Sequence, residues 1–258
     1  MDYKEITFSQ TDAVGILTLN TPEKINALSL RKIREMIHAL ERVAADESVR
    51  VLVLKASGNH FCAGHDLAEM VDQGTKAYKF IFDQCNRMMM MLHEIPQPVI
   101  GVVQGVATAA GCQLAAWCDL VVAAENARFS TPGVKLGLFC TTPMVAITRA
   151  IGRKAAMEML LTGRDFPASE ARELGLINRV VPLEELDAEG MKLAGQVSQA
   201  SGFALAVGKQ GLYAQADMTD AQALHYAKNT IVMNNTSEDA QNGIKAFLNK
   251  TTAEWKNR

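Results

Sequence analysis

Gly105-Val-Ala-Thr-Ala-Ala-Gly-Cys-Gln-Leu-Ala-Ala-Trp-Cys-Asp119 follows directly on the apolar run Pro98-Val-Ile-Gly-Val-Val-Gln-Gly105. The pattern predicts a strand, then a patch of small residues, then a short helix that starts near Ala110. Small residues let another molecule approach the backbone closely. A helix start offers unpaired N–H groups and a partial positive charge. Both favour an oxygen that is, or is becoming, negative. Upstream, Phe61-Cys-Ala-Gly-His-Asp-Leu67 repeats the arrangement, again after an apolar strand and before a helical pattern. Two such turns converging on one carbonyl oxygen would form an oxyanion hole.

Composition bounds the rest. A chain of 258 residues with 48% apolar content has enough material for a sizeable core and argues against disorder. A net charge of −2 gives no electrostatic basis for binding nucleic acid or an anionic membrane. The cysteines (Cys62, Cys85, Cys112, Cys118, Cys140) form no C-x-x-C pair and no zinc spacing. A reduced, cytoplasmic setting without disulfide or metal is the simplest expectation. An organellar matrix stays open, since a transit peptide could have been removed.

Along the chain, Lys4 to Ser9 and Val14 to Asn20 read as strands around a turn at Thr11-Asp12. Ser29 is a good N-cap for a helix from Leu30 to Ala45, spaced by Ile33, Met36, Ile37, Leu40 and Val43. Its charges Arg31, Lys32, Arg34, Glu35, Glu41 and Arg42 read as a solvated face. Val51 to Leu54 is a buried strand, Asp66 caps a short helix, and a longer helix runs from Lys76 to Glu94 before Pro96 and Pro98. Asp119 to Glu125 and Ala127 to Ser130 are strands. Thr131 to Thr142 is a loop with one helical turn. Helices are expected over Met144 to Ala150, Arg153 to Thr162 and Ser169 to Glu173, and Val180-Val181 is a last strand. From Leu183 the pattern is helical almost throughout. The strand, strand, helix rhythm suggests an α/β core over 1–200 and a helical module over 201–258; periodicity alone does not separate this from a doubly wound sheet.

Phe61-Cys-Ala-Gly-His-Asp-Leu67, Gly105-x-Ala-x-x-Ala-Gly-Cys-Gln-Leu114 with Cys118-Asp119, and Thr162-Gly-Arg with Ala168-x-Glu-Ala-x-x-x-Gly-Leu-Ile-Asn178 together resemble the crotonase (enoyl-CoA hydratase/isomerase) superfamily. The resemblance spans Val14 to Lys250. It implies a spiral of ββα units with a C-terminal helical trimerisation region, assembled as a homotrimer or a dimer of trimers. It implies an acyl-CoA thioester as substrate, with no cofactor beyond that coenzyme A. The backbone N–H groups of His65 and Ala110 would hold the thioester oxygen. Lys24, Ala27, Leu28, Ala63, Asp66, Leu67, Phe247 and Lys250 would contact the CoA moiety.

The family's hydratases carry two glutamates, at the positions of Gln113 and Gly133 here. An amide cannot ionise and glycine has no side chain, so the water-handling pair is missing. Cys140 and Thr141 lie where other branches place alternative acids, bases or nucleophiles. The resemblance therefore points to a lyase or isomerase of this family in which hydration is weakened. A decarboxylase, a thioester hydrolase, an isomerase and a non-catalytic acyl-CoA-binding oligomer remain as alternatives. His38, His60, His93 and His225 show no partner pattern, and Met88 to Met91 read as adaptable core filler.

Overall fold

The computed structural model describes residues 2–258. A hairpin of β1 (Ile6–Thr11) and β2 (Val14–Leu19) opens the chain, followed by α1 (Leu30–Ala45), β3 (Val51–Ala56) and α2 (Thr75–Glu94). Next come β4 (Val99–Val103), β5 (Val106–Thr108), α3 (Ala110–Ala116), β6 (Leu120–Ala124), β7 (Arg128–Ser130), α4 (Thr141–Ala150) and α5 (Arg153–Thr162). The short β8 (Phe166–Pro167), α6 (Ala168–Glu173) and β9 (Arg179–Val181) lead to α7 (Leu186–Ser198), α8 (Gly202–Gln215), α9 (Asp220–Asn235) and α10 (Glu238–Asn249).

The strands form two sheets. One has the order β1-β2-β3-β4-β6-β9 and is parallel apart from its opening hairpin. The other is β5-β7-β8. The chain passes from the large sheet to the small one and then into a helix, as β4-β5-α3 and again as β6-β7-α4. An isolated parallel bridge between Cys62 and Ala107 makes the segment between β3 and α2 a third turn of the same spiral. Stacked ββα units are thus the architecture, and the doubly wound alternative falls away.

Period-two alternation places the core. Leu52 and Leu54 face the layer that holds α1 and α2, while Val51 and Val53 face the layer under α7 with Ile100, Val102 and Val122. The run from Pro98 to Gly105 reads as one strand but is broken at its end. Gly105 has φ +56°, and a Cβ there would lie 2.1 Å from the Asn59 carbonyl oxygen. The chain turns at that point into the second sheet.

One helix face also differs from expectation. Lys32 and Glu35 are buried, at 0% and 4% exposure, rather than solvated. The Glu35 carboxylate accepts the backbone N–H groups of Lys4 at 3.1 Å and Glu5 at 2.8 Å, and the Lys32 ammonium donates to Thr21 Oγ1. Glu35 thus anchors the N-terminal segment onto α1 and Lys32 ties down the loop between β2 and α1, roles that helical spacing alone does not reveal.

Candidate active site

The first turn is held by the loop before α1. Asn26 is fully buried; its carboxamide oxygen accepts Thr21 N–H at 2.9 Å, and its Nδ2 donates to Ser57 and His60 carbonyls at 2.9 Å. Ile25 and Asn26 both have positive φ, so the loop curls sharply here. It then zips against residues 63–66: Ala63 N–H donates to Ile25 at 3.0 Å, Leu28 N–H to Gly64 at 2.7 Å, and Asp66 N–H to Leu28 at 3.3 Å. Lys24 Nζ lies 3.3 Å from Asp66 Oδ2, and this pairing raises the Lys24 pKa. Lys24, Ala27, Ala63, Asp66 and Leu67 therefore adjoin one another at the surface, while Leu28, at 1% exposure, is buried in the core and joins them only through its backbone. Asp66 also caps the 3-10 turn Leu67–Met70 by accepting Ala68 N–H at 3.1 Å.

The second turn is the start of α3. Ala109 adopts φ 51°, ψ −119°, a sterically expensive conformation for a residue with a Cβ. Its N–H is fixed to the Ser130 carbonyl at 2.9 Å. This strained residue swings the chain from β5 into α3. Gly111 then packs on Cys62, where a Cβ would meet the Cys62 carbonyl oxygen at 2.2 Å. A Cβ on Gly64 would stand 3.1 Å from Ala110 N, so the two turns are in direct contact. Leu28 pairs with Gly64 and Asp66 and leaves the intervening His65 N–H unused. Ala110 N–H, at the first helical position, is likewise free. Among the described residues neither has a protein acceptor.

The His65 ring packs edge-on to Phe82 with centroids 5.1 Å apart, and both its nitrogens are buried without a partner. Burial lowers its pKa to about 4. Gln113 is 4% exposed, and its Oε1 also lacks a partner. Phe82 and the ring environment it creates left no mark in the sequence, because Phe82 sits in an ordinary amphipathic helix.

Gly133 is buried, and a Cβ there would lie 2.9 Å from Cys140 Sγ and 3.1 Å from the Leu138 carbonyl oxygen. The Cys140 sulfur thus occupies the start of any side chain at this position. Burial raises the Cys140 pKa, against the opposing effect of the Gly133 N–H bond to sulfur. Cys112 in α3 is pushed up to about 12 by burial and by Cys140 nearby. These thiols are held protonated, the opposite of an activated nucleophile. Thr141 is exposed as the first residue of α4, which begins earlier than its apolar spacing suggests.

Phe247 and Lys250 stand apart from this surface. They close α10, which packs on α8 and α9, and Phe247 is 83% exposed. Among the described residues no group of three or more His, Cys, Asp or Glu is arranged to hold a metal ion. No helix among them is long and apolar enough to cross a membrane.

Comparison with known proteins agrees with this geometry. The family model described as Enoyl-CoA hydratase/isomerase matches residues 9–258. The mitochondrial enoyl-CoA hydratase domain-containing protein 3 of Mus musculus is 41% identical over 247 residues, 95% of this chain and 82% of that protein. A crystal structure of enoyl-CoA hydratase from Mycobacterium smegmatis superposes with a TM-score of 0.95 at 42% identity, covering 98% of this chain and 99% of the other. The human enoyl-CoA hydratase domain-containing protein 3 structure gives 0.95 at 38% identity, over 98% and 100% of the two chains. With both abutting turns in place and near-complete coverage by these relatives, the chain belongs to the enoyl-CoA hydratase/isomerase family, the crotonases.

Proposed function

We propose that this enzyme binds acyl-CoA thioesters and stabilises negative charge on the thioester oxygen with the backbone N–H groups of His65 and Ala110. The observation that carries the reading is that both N–H groups lie on touching turns and lack protein acceptors. Donors fixed in advance need not reorganise as an enolate forms, and each contributes about 2.7–4 kcal/mol to such a transition state. Lys24, on the exposed rim beside Asp66, supplies a point charge for the CoA phosphates. Ala27, Ala63, Asp66 and Leu67 line the approach, with Leu28 contributing its backbone and not its buried side chain. Phe247 and Lys250 complete a CoA site in the assembled oligomer, for which residues 201–258 serve as the contact region. Five free cysteines suit a reducing compartment, the cytoplasm or an organellar matrix.

Hydration is the weak activity in this reading. Gln113 and Gly133 carry no carboxylate, and general acid–base help of about 10²–10⁴-fold is forgone. The test has two parts. Acyl-CoA labelled with ¹³C at the thioester carbonyl is bound and its carbonyl stretch recorded; a fall in frequency on binding is expected from two polarising donors. Absence of binding, or a bound carbonyl with an unshifted stretch, overturns the reading. Hydration of a short trans-2-enoyl-CoA is then compared between wild type, Gln113→Glu, and a Gln113→Glu/Gly133→Glu/Cys140→Ala variant that makes room for the second carboxylate. Hydration is expected to rise along that series.

A further inference from the structure

Residues 251–258 form no helix or strand, yet they are fixed at several points. Asp239, in the first turn of α10, is 1% exposed. Its carboxylate accepts Ser201 Oγ at 2.5 Å, Lys256 N–H at 2.6 Å and Asn257 N–H at 3.0 Å. Asn257 Oδ1 in turn accepts the Gly202 N–H, at the start of α8, at 3.0 Å. Trp255 Nε1 donates to the Gln199 carbonyl at 2.7 Å. The Trp255 ring lies 3.2 Å from where a Cβ on Gly243 would stand, so it rests on α10. These bonds tie the corner between α7 and α8 to α10.

A carboxylate buried this deeply must have its lone pairs filled by donors. Two of the three donors on Asp239 come from the backbone of residues 256 and 257. Two helix starts add to them. Asp239 lies in the first turn of α10 and bonds Ser201, the N-cap of α8, and the partial positive charge of a helix N-terminus favours an anion. Little else fixes α10. Its buried residues are Asp239 and Ala246, and α9 before it has none. Ile244, Phe247 and Leu248 are exposed, so apolar burial within the chain does not set its position. We propose that residues 251–258 are a strap that clasps α10 through Asp239, and that the seated strap sets the affinity for the nucleotide end of coenzyme A by holding Phe247 and Lys250 in place. Asp239 is a positioning residue, buried under the strap and acting through α10. The inference rests on the acyl-CoA reading above. The nucleotide end is the part concerned, because phosphates are the partners that a lysine ammonium takes on CoA.

The test uses the full chain at one protein concentration, as wild type, Asp239→Ala and Trp255→Ala/Asn257→Gly. The double variant leaves the carboxylate in place, and glycine keeps the positive φ that Asn257 adopts. Amide hydrogen exchange is followed by mass spectrometry, and calorimetry measures binding of butyryl-CoA and of S-butyryl-pantetheine, which ends before the phosphates. In both variants exchange across 242–249 should speed by roughly ten- to a hundredfold while α1 and α2 keep their wild-type rates. The butyryl-CoA dissociation constant should rise about tenfold, and that of S-butyryl-pantetheine should stay unchanged. Unchanged exchange in α10 overturns the clasp, and so does equal acceleration in α1 and α2, which marks general loosening. Faster exchange in α10 with unaltered butyryl-CoA affinity, or with equal weakening of both thioesters, overturns the positioning role and leaves the acyl-CoA reading standing. No binding of butyryl-CoA by wild type overturns both readings.

Discussion

At Gly133 a single sulfur atom sets what the residue can be. The Cys140 sulfur 2.9 Å from the position of a Cβ, with the Leu138 carbonyl oxygen at 3.1 Å, makes even alanine too large. Gly133→Ala should destabilise the protein by about 1–3 kcal/mol in urea unfolding. In a Cys140→Ala background the cost should shrink, giving a coupling of roughly 0.5–3 kcal/mol; strictly additive costs would show that the sulfur is not the obstacle. His65 supports a second prediction. Its folded pKa, about 4, lies below the ordinary 6.5, so the folded state favours the neutral ring. That contribution is fully present above pH 6.5 and is lost as pH falls from there toward 4, because the unfolded chain binds the proton more tightly. The loss approaches about 3 kcal/mol at the acid end. His65→Phe should flatten the fall in stability between pH 6.5 and 4 relative to wild type, measured at one protein concentration.

The elements that carry the site answer to close backbone approach more than to propensity. Alanine normally favours a helix interior over glycine by about 1 kcal/mol. Gly195 in α7 has open space where an alanine methyl would sit, with no atom within 4 Å, so Gly195→Ala should stabilise by up to about that amount. Gly111 in α3 would drive its methyl to 2.2 Å from a backbone oxygen, and Gly111→Ala should destabilise despite the same propensity gain. Thermal unfolding of the pair separates the effects by sign. These contacts also explain what was legible in the sequence. The Ser29 cap and α1 emerge from local spacing, and the observed helix matches it, with Ser29 accepting Lys32 N–H at 3.0 Å. The small-residue turns at 61–67 and 105–111 marked the site because glycine and alanine permit contact. Pairing between distant segments left no such mark. The bridge from Leu28 to His65, the burial of Lys32 and Glu35, and the Cys140–Gly133 contact each depend on residues brought together by the spiral. The brief β8 pairs with β7 through Phe166 and Pro167, too short a run for alternation to reveal.

Across the whole molecule, the helical arm is tied to the core by a buried cluster. Lys209 on α8 reaches Asp119 at 2.8 Å and the Leu92 and Gln97 carbonyls at 2.6 and 2.8 Å, while Tyr213 donates to Asp119 at 2.6 Å. His93, which shows no partner pattern in the sequence, is stacked between Trp117 and Tyr213. Asp119→Ala strands the Lys209 cation and should cost about 3–5 kcal/mol; Asp119→Ala/Lys209→Met should recover much of it in urea unfolding. Beyond this clamp the arm is unlike a finished surface. No residue of α9 is buried, and Leu224, Ile231 and Met233 are 71%, 60% and 70% exposed, with Leu248 of α10 at 71%. A helix with so much exposed apolar area fits a contact between copies. Sedimentation should therefore show an oligomer for wild type, and Leu224→Glu/Ile231→Glu should shift it toward single-chain mass. Because α9 contributes nothing to the core of its own chain, helical circular dichroism should be retained in that variant. Single-chain wild type would overturn the proposal that Phe247 and Lys250 complete a CoA site in an assembly, and an oligomer unmoved by the double substitution would place the contact on another face of the arm.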